Sequence, residues 1–143
     1  WPALTINDKA VVDKAQIELI VSGALDILKV GDGLFYFAVP SGLNGYAVTK
    51  VEANILVTST SGTPTIQIAK GRRATPTSTL TFTDILSTRI TIDVGEYSSN
   101  NAVNPPVIDA SAAGLQTDDI LRIDCDVAGT GTKGLIINLE LSK

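Results

Sequence analysis

The chain has 143 residues, 44% of them hydrophobic and 18% charged, with a net charge of −4 and a pI of about 4.6. This is the length of one domain, too apolar for disorder and able to bury roughly 68–70% of its unfolded surface without metals or disulfides. The acidic balance argues against nucleic acid as the main partner, and the lack of an apolar run of about 18 residues argues against a membrane span. The absence of histidine excludes Ser-His-Asp and Cys-His catalysis and the common zinc sites.

Residues 1–15 read as an N-terminal arm or linker. Asp8 is placed to cap a short helix through Ala10, Val11, Val12 and Ala15, whereas the valines favour extended chain. With no methionine and Trp1-Pro2 at its start, the chain is expected to be processed, excised or numbered from an internal point. The start lacks the basic region and apolar stretch of a signal peptide.

The predicted domain spans residues 16–143, and its signals are those of strands. Ile17, Leu19 and Val21 alternate, and Leu25, Ile27 and Val30 follow. Gly31-Asp32-Gly33 reads as a turn, and Leu34 to Val39 as an aromatic strand stopped by Pro40. In the longest expected strand Ala47, Thr49, Val51, Ala53, Ile55 and Val57 share the inner face. A strand from Pro64 to Lys70 points Ile66 and Ile68 inward, and a loop through Gly71 and Pro76 leads to Leu80 and Phe82. Asp84 to Ser87 reads as one helical turn.

The clearest alternation lies at Arg89 to Val94, Leu121 to Val127 and Leu135 to Leu141. A long connection, Gly95 to Asp118, separates the first two, and Gly129 to Gly134 reads as a hairpin loop between the last two. About eight strands without helical crossovers predict an all-β fold, an antiparallel two-sheet sandwich of jelly-roll or Greek-key type with a short N-terminal arm.

Chemistry is sparse. Cys125 shares an apolar strand side with Leu121 and Ile123, so it reads as a core thiol without the basic neighbour a nucleophile needs. Gly129, Gly131 and Gly134 have dinucleotide-motif spacing, but a strand follows where that motif needs a helix. Asp124 and Asp126 are expected on a solvated strand face with Arg122 as a weak partner. At roughly 7 Å apart they are poorly spaced to share calcium. Paired-carboxylate glycoside chemistry needs acids across a cleft, and sugar platforms need aromatics, which make up only 5% here. No catalytic, cofactor or metal residues are therefore expected, and no enzyme.

Partner-contact candidates are Lys70, Arg72 and Arg73, the one basic cluster, expected on a loop with Gly71. That cluster reads either as a solvated turn or as a contact to an acidic protein surface. Tyr97, with Tyr46, is a candidate sugar platform, and Ser98-Ser99-Asn100-Asn101 and Asn104-Pro105-Pro106 are polar and uncharged, either adaptable contact loops or a plain crossing between sheets.

Several pieces carry a resemblance: Gly31-Asp32-Gly33 before Phe35-Tyr36-Phe37, Asp84 to Thr88, Ile90 to Asp93 followed by Gly95-Glu96 and Ser98-Ser99, Pro106-Val107-Ile108 before Ile120 to Asp124, and Gly129 to Leu135. Together they resemble small β-sandwich modules of tailed-bacteriophage structural proteins: capsid-decoration (cement), head-fibre and tail-fibre domains. Such modules often carry Gly-Asp before the penultimate strand, where this chain has Asp118-Asp119. The resemblance implies a non-enzymatic protein on the outer surface of the virion, a homo-oligomer (trimer) bound to capsid or other virion proteins through the N-terminal segment or the Lys70–Arg73 loop. The rival reading is a tail-fibre receptor-binding module, or an enzyme's carbohydrate-binding module, that takes host-surface glycan.

Overall fold

The computed structural model describes Thr5–Ile6, Lys9–Ala10 and residues 13–143. In chain order come β1 (Thr5–Ile6), β2 (Lys9–Ala10), β3 (Lys14–Ile20), β4 (Gly31–Ala38), β5 (Ala47–Asn54) and β6 (Thr65–Arg72). Short strands β7 (Thr81–Asp84), β8 (Leu86–Thr88), β9 (Ile90–Thr91) and β10 (Val107–Ile108) precede the two long final strands, β11 (Ile120–Val127) and β12 (Ile136–Ser142). Single 3-10 turns lie at Ser41–Leu43 and Ser99–Asn101.

Two antiparallel sheets form a sandwich. One has the order β4-β11-β6-β7, with β9 also on β6; the other is β3-β12-β5. Alternation decides which side chains meet. Across the first sheet Leu121 pairs with Phe37 and Lys70, and Ile123 with Phe35 and Ile68. Across the second, Ile137 lies between Leu19 and Ala53, and Leu139 between Ile17 and Val51. Residues of both inner faces belong to a single apolar core. Ile66, Ile68, Leu121, Ile123, Ile137 and Leu141 are fully buried, each contributing about 1.5–3 kcal/mol from leaving water. The sandwich is the fold class expected. The strand count exceeds eight because β1, β2, β8, β9 and β10 have only two or three residues, too few to show a period.

Several local expectations are corrected. Gly129 to Gly134 is not a hairpin: β11 and β12 belong to different sheets, so this segment arches from one layer to the other. Loop length suggested a hairpin, but both strands already have two neighbours. The β5 face changes phase at a bulge, where Glu140 pairs with Lys50 and Leu141 with Val48. Val48 therefore enters the core in place of Ala47 and Thr49, and Val57 lies beyond the strand, 42% exposed. Asp84 to Ser87 is extended rather than helical, because Ile85 is fully buried and its N–H donates to the Ile68 carbonyl at 2.9 Å.

Gly31 to Gly33 opens β4 instead of forming a turn, with a register shift against β11. Of the Arg89–Val94 alternation only Ile90–Thr91 pairs, and no strand forms over Leu25 to Val30. At the N-terminus Lys9–Ala10 is extended and paired with Thr5–Ile6. Of the expected helix, Asp8, Val11 and Val12 lie outside the described residues, and Ala15 is within β3. Asp118 has a φ of 70°, so an aspartate occupies a left-handed position that glycine takes most readily.

The arch supplies a test. Gly131 and Gly134 both have left-handed backbone, at φ 77° and 74°. A Cβ on Gly131 would meet open space, whereas one on Gly134 would lie 2.8 Å from Leu56. Gly131→Ala is expected to cost roughly 1 kcal/mol and Gly134→Ala clearly more, measured by urea unfolding. Equal losses would contradict the close approach of the arch to Leu56.

Candidate functional site

The basic cluster is not on a loop. Lys70 and Arg72 belong to β6, and only Arg73 lies beyond it. Lys70 takes the inner-face parity of Ile66 and Ile68, with its ammonium at the end of the core. It donates to the carbonyls of Ala112 at 2.6 Å and Gly114 at 2.7 Å. Arg72 Nε and Nη2 grip Asp119 at 2.9 and 2.6 Å, and Nη2 also reaches the Gly114 carbonyl at 3.2 Å. The Gln116 N–H donates to the same carboxylate at 2.8 Å. A buried lysine, a bidentate ion pair and a turn of carbonyls thus plug one end of the sandwich.

The charges behave accordingly. Burial and the nearby Arg72 charge lower the Lys70 pKa, partly offset by Asp119. Burial pulls the Asp119 carboxyl upward, but hydrogen bonds from Arg72 and the Gln116 N–H, with the Arg72 and Lys70 charges, outweigh it and hold it below the usual carboxylate value. The hydrogen bond with Asp119 raises Arg72. Arg73 makes no ion pair among the described residues and lines a shallow cleft with Thr75, Thr117 and Asp118.

Asp124 is not on a solvated face either. Arg122 Nε and Nη2 bond it at 2.8 and 2.9 Å, and the Gly33 N–H donates to it at 2.9 Å. It is 3% exposed although it lies on the outer face of its sheet, because neighbours cover it. Arg122 stacks on the Phe82 ring at 4.1 Å, and Tyr36 is its cross-strand neighbour on β4. Phe82 lies so close over Gly71 that a Cβ there would come within 2.8 Å of the ring. The result is a tray of Tyr36, Arg122 and Phe82 with exposed Asp32 at its margin, 3.9 Å from Arg122. Asp126 is bound separately to Arg89 at 2.6 Å. Among the described residues no group of three His, Cys, Asp or Glu is placed to hold a metal. The Cys125 thiol is buried and pushed up to about 11, chiefly by burial and then by the Asp126 charge.

Tyr97, Asn100 and Asn101 are exposed and flank the outer edge of β5. The Ile55 N–H donates to the Tyr97 carbonyl and the Ala53 N–H to Ser99 Oγ, both at 2.9 Å. Ser98 caps the 3-10 turn by accepting from the Asn100 N–H. This group does not meet the basic one. Ser98 bridges to Asn54 and Gly114 to Ala47, at opposite ends of β5, roughly 23 Å apart at about 3.3 Å per residue.

Sequence reasoning missed an apolar rim. Ile27 and Val57 both bridge to Lys133, and Leu56 covers Gly134. Leu25, 85% exposed, borders a groove of about 530 Å³ with Val21, Ile27 and Leu34. The signal was the apolar run Leu25, Ile27, Val30 beside a polar turn, which matched a buried strand equally well. No family model, curated protein or solved structure matches the chain.

The plug predicts an acid dependence. A carboxyl lowered in the folded state stabilises the fold above its unfolded pKa of about 3.9, and that contribution is lost as pH falls through the folded value. Asp119 should therefore add nothing variable between pH 7 and 5 and should lose its contribution below about pH 4. Asp119→Asn is expected to cost about 2 kcal/mol at neutral pH, because Arg72 retains access to water, and to flatten the acid limb of the melting curve. An unchanged acid limb would contradict this role.

Proposed function

We propose that the chain is a non-enzymatic structural protein of a tailed-bacteriophage virion, decorating or projecting from the capsid. The observation that carries this reading is the contrast between its polar and apolar groups. The strongest charge pairs are used within the fold, whereas Leu25, Ile27, Val30, Leu56 and Val57 face solvent around one end. Exposed apolar surface gathered in one place marks a contact with another protein. A rigid sandwich that keeps its strongest ion pairs within its own fold suits a particle surface, and the resemblance to decoration and head-fibre modules points the same way. Of the basic cluster, Arg73 alone remains available for an outside partner.

A second reading, a tail-fibre or enzyme-attached module that binds host-surface carbohydrate, is favoured by the tray of Tyr36, Phe82 and Arg122. An exposed ring can stack on a sugar face while Arg122 and Asp32 offer polar contacts.

Co-sedimentation with assembled capsids tests the first reading. The wild type should travel with the particles, and Leu25→Asp with Ile27→Asp should release it without lowering the thermal midpoint. Undiminished attachment of that variant would remove the rim from the account. Specific retention on a glycan array, lost in Tyr36→Ala, would establish the second reading instead.

A further inference from the structure

The two edges of the β3-β12-β5 sheet are treated differently. The edge of β5 is covered at both ends: Val48 donates to the Ala113 carbonyl, Ala53 to Ser99 and Ile55 to Tyr97. The edge of β3 has no strand beside it among the described residues. Seven residues of extended chain without proline are a long edge to leave open, since such an edge templates pairing with another strand.

The direction of its free groups can be read from its bonds. The Lys143 N–H donates to the Asp13 carbonyl at 3.0 Å, and the Val21 N–H to the Leu135 carbonyl at 2.9 Å. Residues of that parity (13, 15, 17, 19, 21) therefore turn their backbone groups toward β12. The N–H and C=O groups of Lys14, Gln16, Glu18 and Ile20 point out of the sheet. On the core side Ala15 and Ile17 are only partly buried against the apolar cluster, although their cross-strand partners Leu141 and Leu139 are fully buried.

We propose that a second copy of this chain adds to that edge, β3 against β3 in antiparallel register about a twofold axis at Gln16. The argument is self-complementarity. In this register Lys14 of each copy lies opposite Glu18 of the other, and Gln16 opposite Gln16, so the residues with free backbone groups form the hydrogen-bonded pairs. Ala15 meets Ile17 on the core side, covering the two residues the single chain leaves half-open. Lys14 is free to do this: its side chain is 64% exposed, with one long contact of 3.7 Å to Glu140. A shift of two residues, to an axis at Ile17, sets Lys14 against Ile20 and Gln16 against Glu18 and loses both charge pairs. A shift of one residue would pair inward-facing with outward-facing residues. Three-stranded sheets thus join into one of six strands. The contact is twofold, so a threefold assembly would need another surface and would contain six copies rather than three. The inference stands apart from the virion reading, since dimerisation is read on the isolated chain and capsid attachment is not.

Sedimentation equilibrium of the full 143-residue chain, from micromolar to millimolar protein, tests it. Dimers or hexamers are expected. Lys14→Glu and Glu18→Lys should each weaken association about tenfold, through two like-charge pairs per interface. The double variant Lys14→Glu/Glu18→Lys should recover it. Gln16→Pro removes an outward N–H and should abolish pairing, with a thermal melt confirming that the variant still folds. A monomer at every concentration, a trimer, association indifferent to the single charge reversals, or failure of the double variant to recover it would overturn the proposal.

Discussion

The fold depends on the burial of one face of β11. This strand lies between β4 and β6, and its alternation sends Leu121, Ile123 and Cys125 into the core while Arg122 and Asp124 take the outer face. The central strand of the other sheet, β12, does the same with Ile137, Leu139 and Leu141. The arch from Gly129 to Gly134 then has to carry the chain from one layer to the other, and its left-handed glycines follow from that demand. β3 and β5 find their places against β12, and among the described residues the edge of β3 is the open margin of the second sheet.

Charged residues that look reactive in a list have structural work. Lys70, at a core-facing position, carries its ammonium along an apolar stem to the carbonyls of Ala112 and Gly114. Arg72 and Asp119 close the same end. Arg122 binds a carboxylate through two nitrogens while its guanidinium lies over the Phe82 ring, a bidentate grip that an ammonium cannot make.

The two long final strands were legible because their apolar residues alternate over seven or eight residues, long enough for a period of two to stand out. The β5 bulge was not legible, since one extra residue at Thr49 leaves the apolar count unchanged while reversing the face. Nor was the arch, because six glycine-rich residues suit a hairpin and a crossing equally well, and the choice belongs to distant partners. Lys70 and Arg72 read as a loop for a similar reason: nothing local announces that Asp119 and the carbonyls of Ala112 and Gly114 wait beside them. Asp124 was misplaced because outer-face position was equated with exposure, whereas it is 3% exposed and bound by Arg122 and the Gly33 N–H. For Tyr97, Asn100 and Asn101 the sequence left a contact loop and a plain crossing open, and their attachment to the edge of β5 through Ser99 and the Tyr97 carbonyl was invisible in it.

The single cysteine reports directly on the central face. With Cys125 buried on β11 and its thiol raised to about 11, modification by a thiol reagent at neutral pH should be limited by unfolding. The rate should rise with urea in step with loss of β structure, and in native buffer it should be negligible beside that of the unfolded chain. Rapid, stoichiometric labelling of the native protein, insensitive to denaturant, would contradict the placement of that face in the core and the architecture built on it.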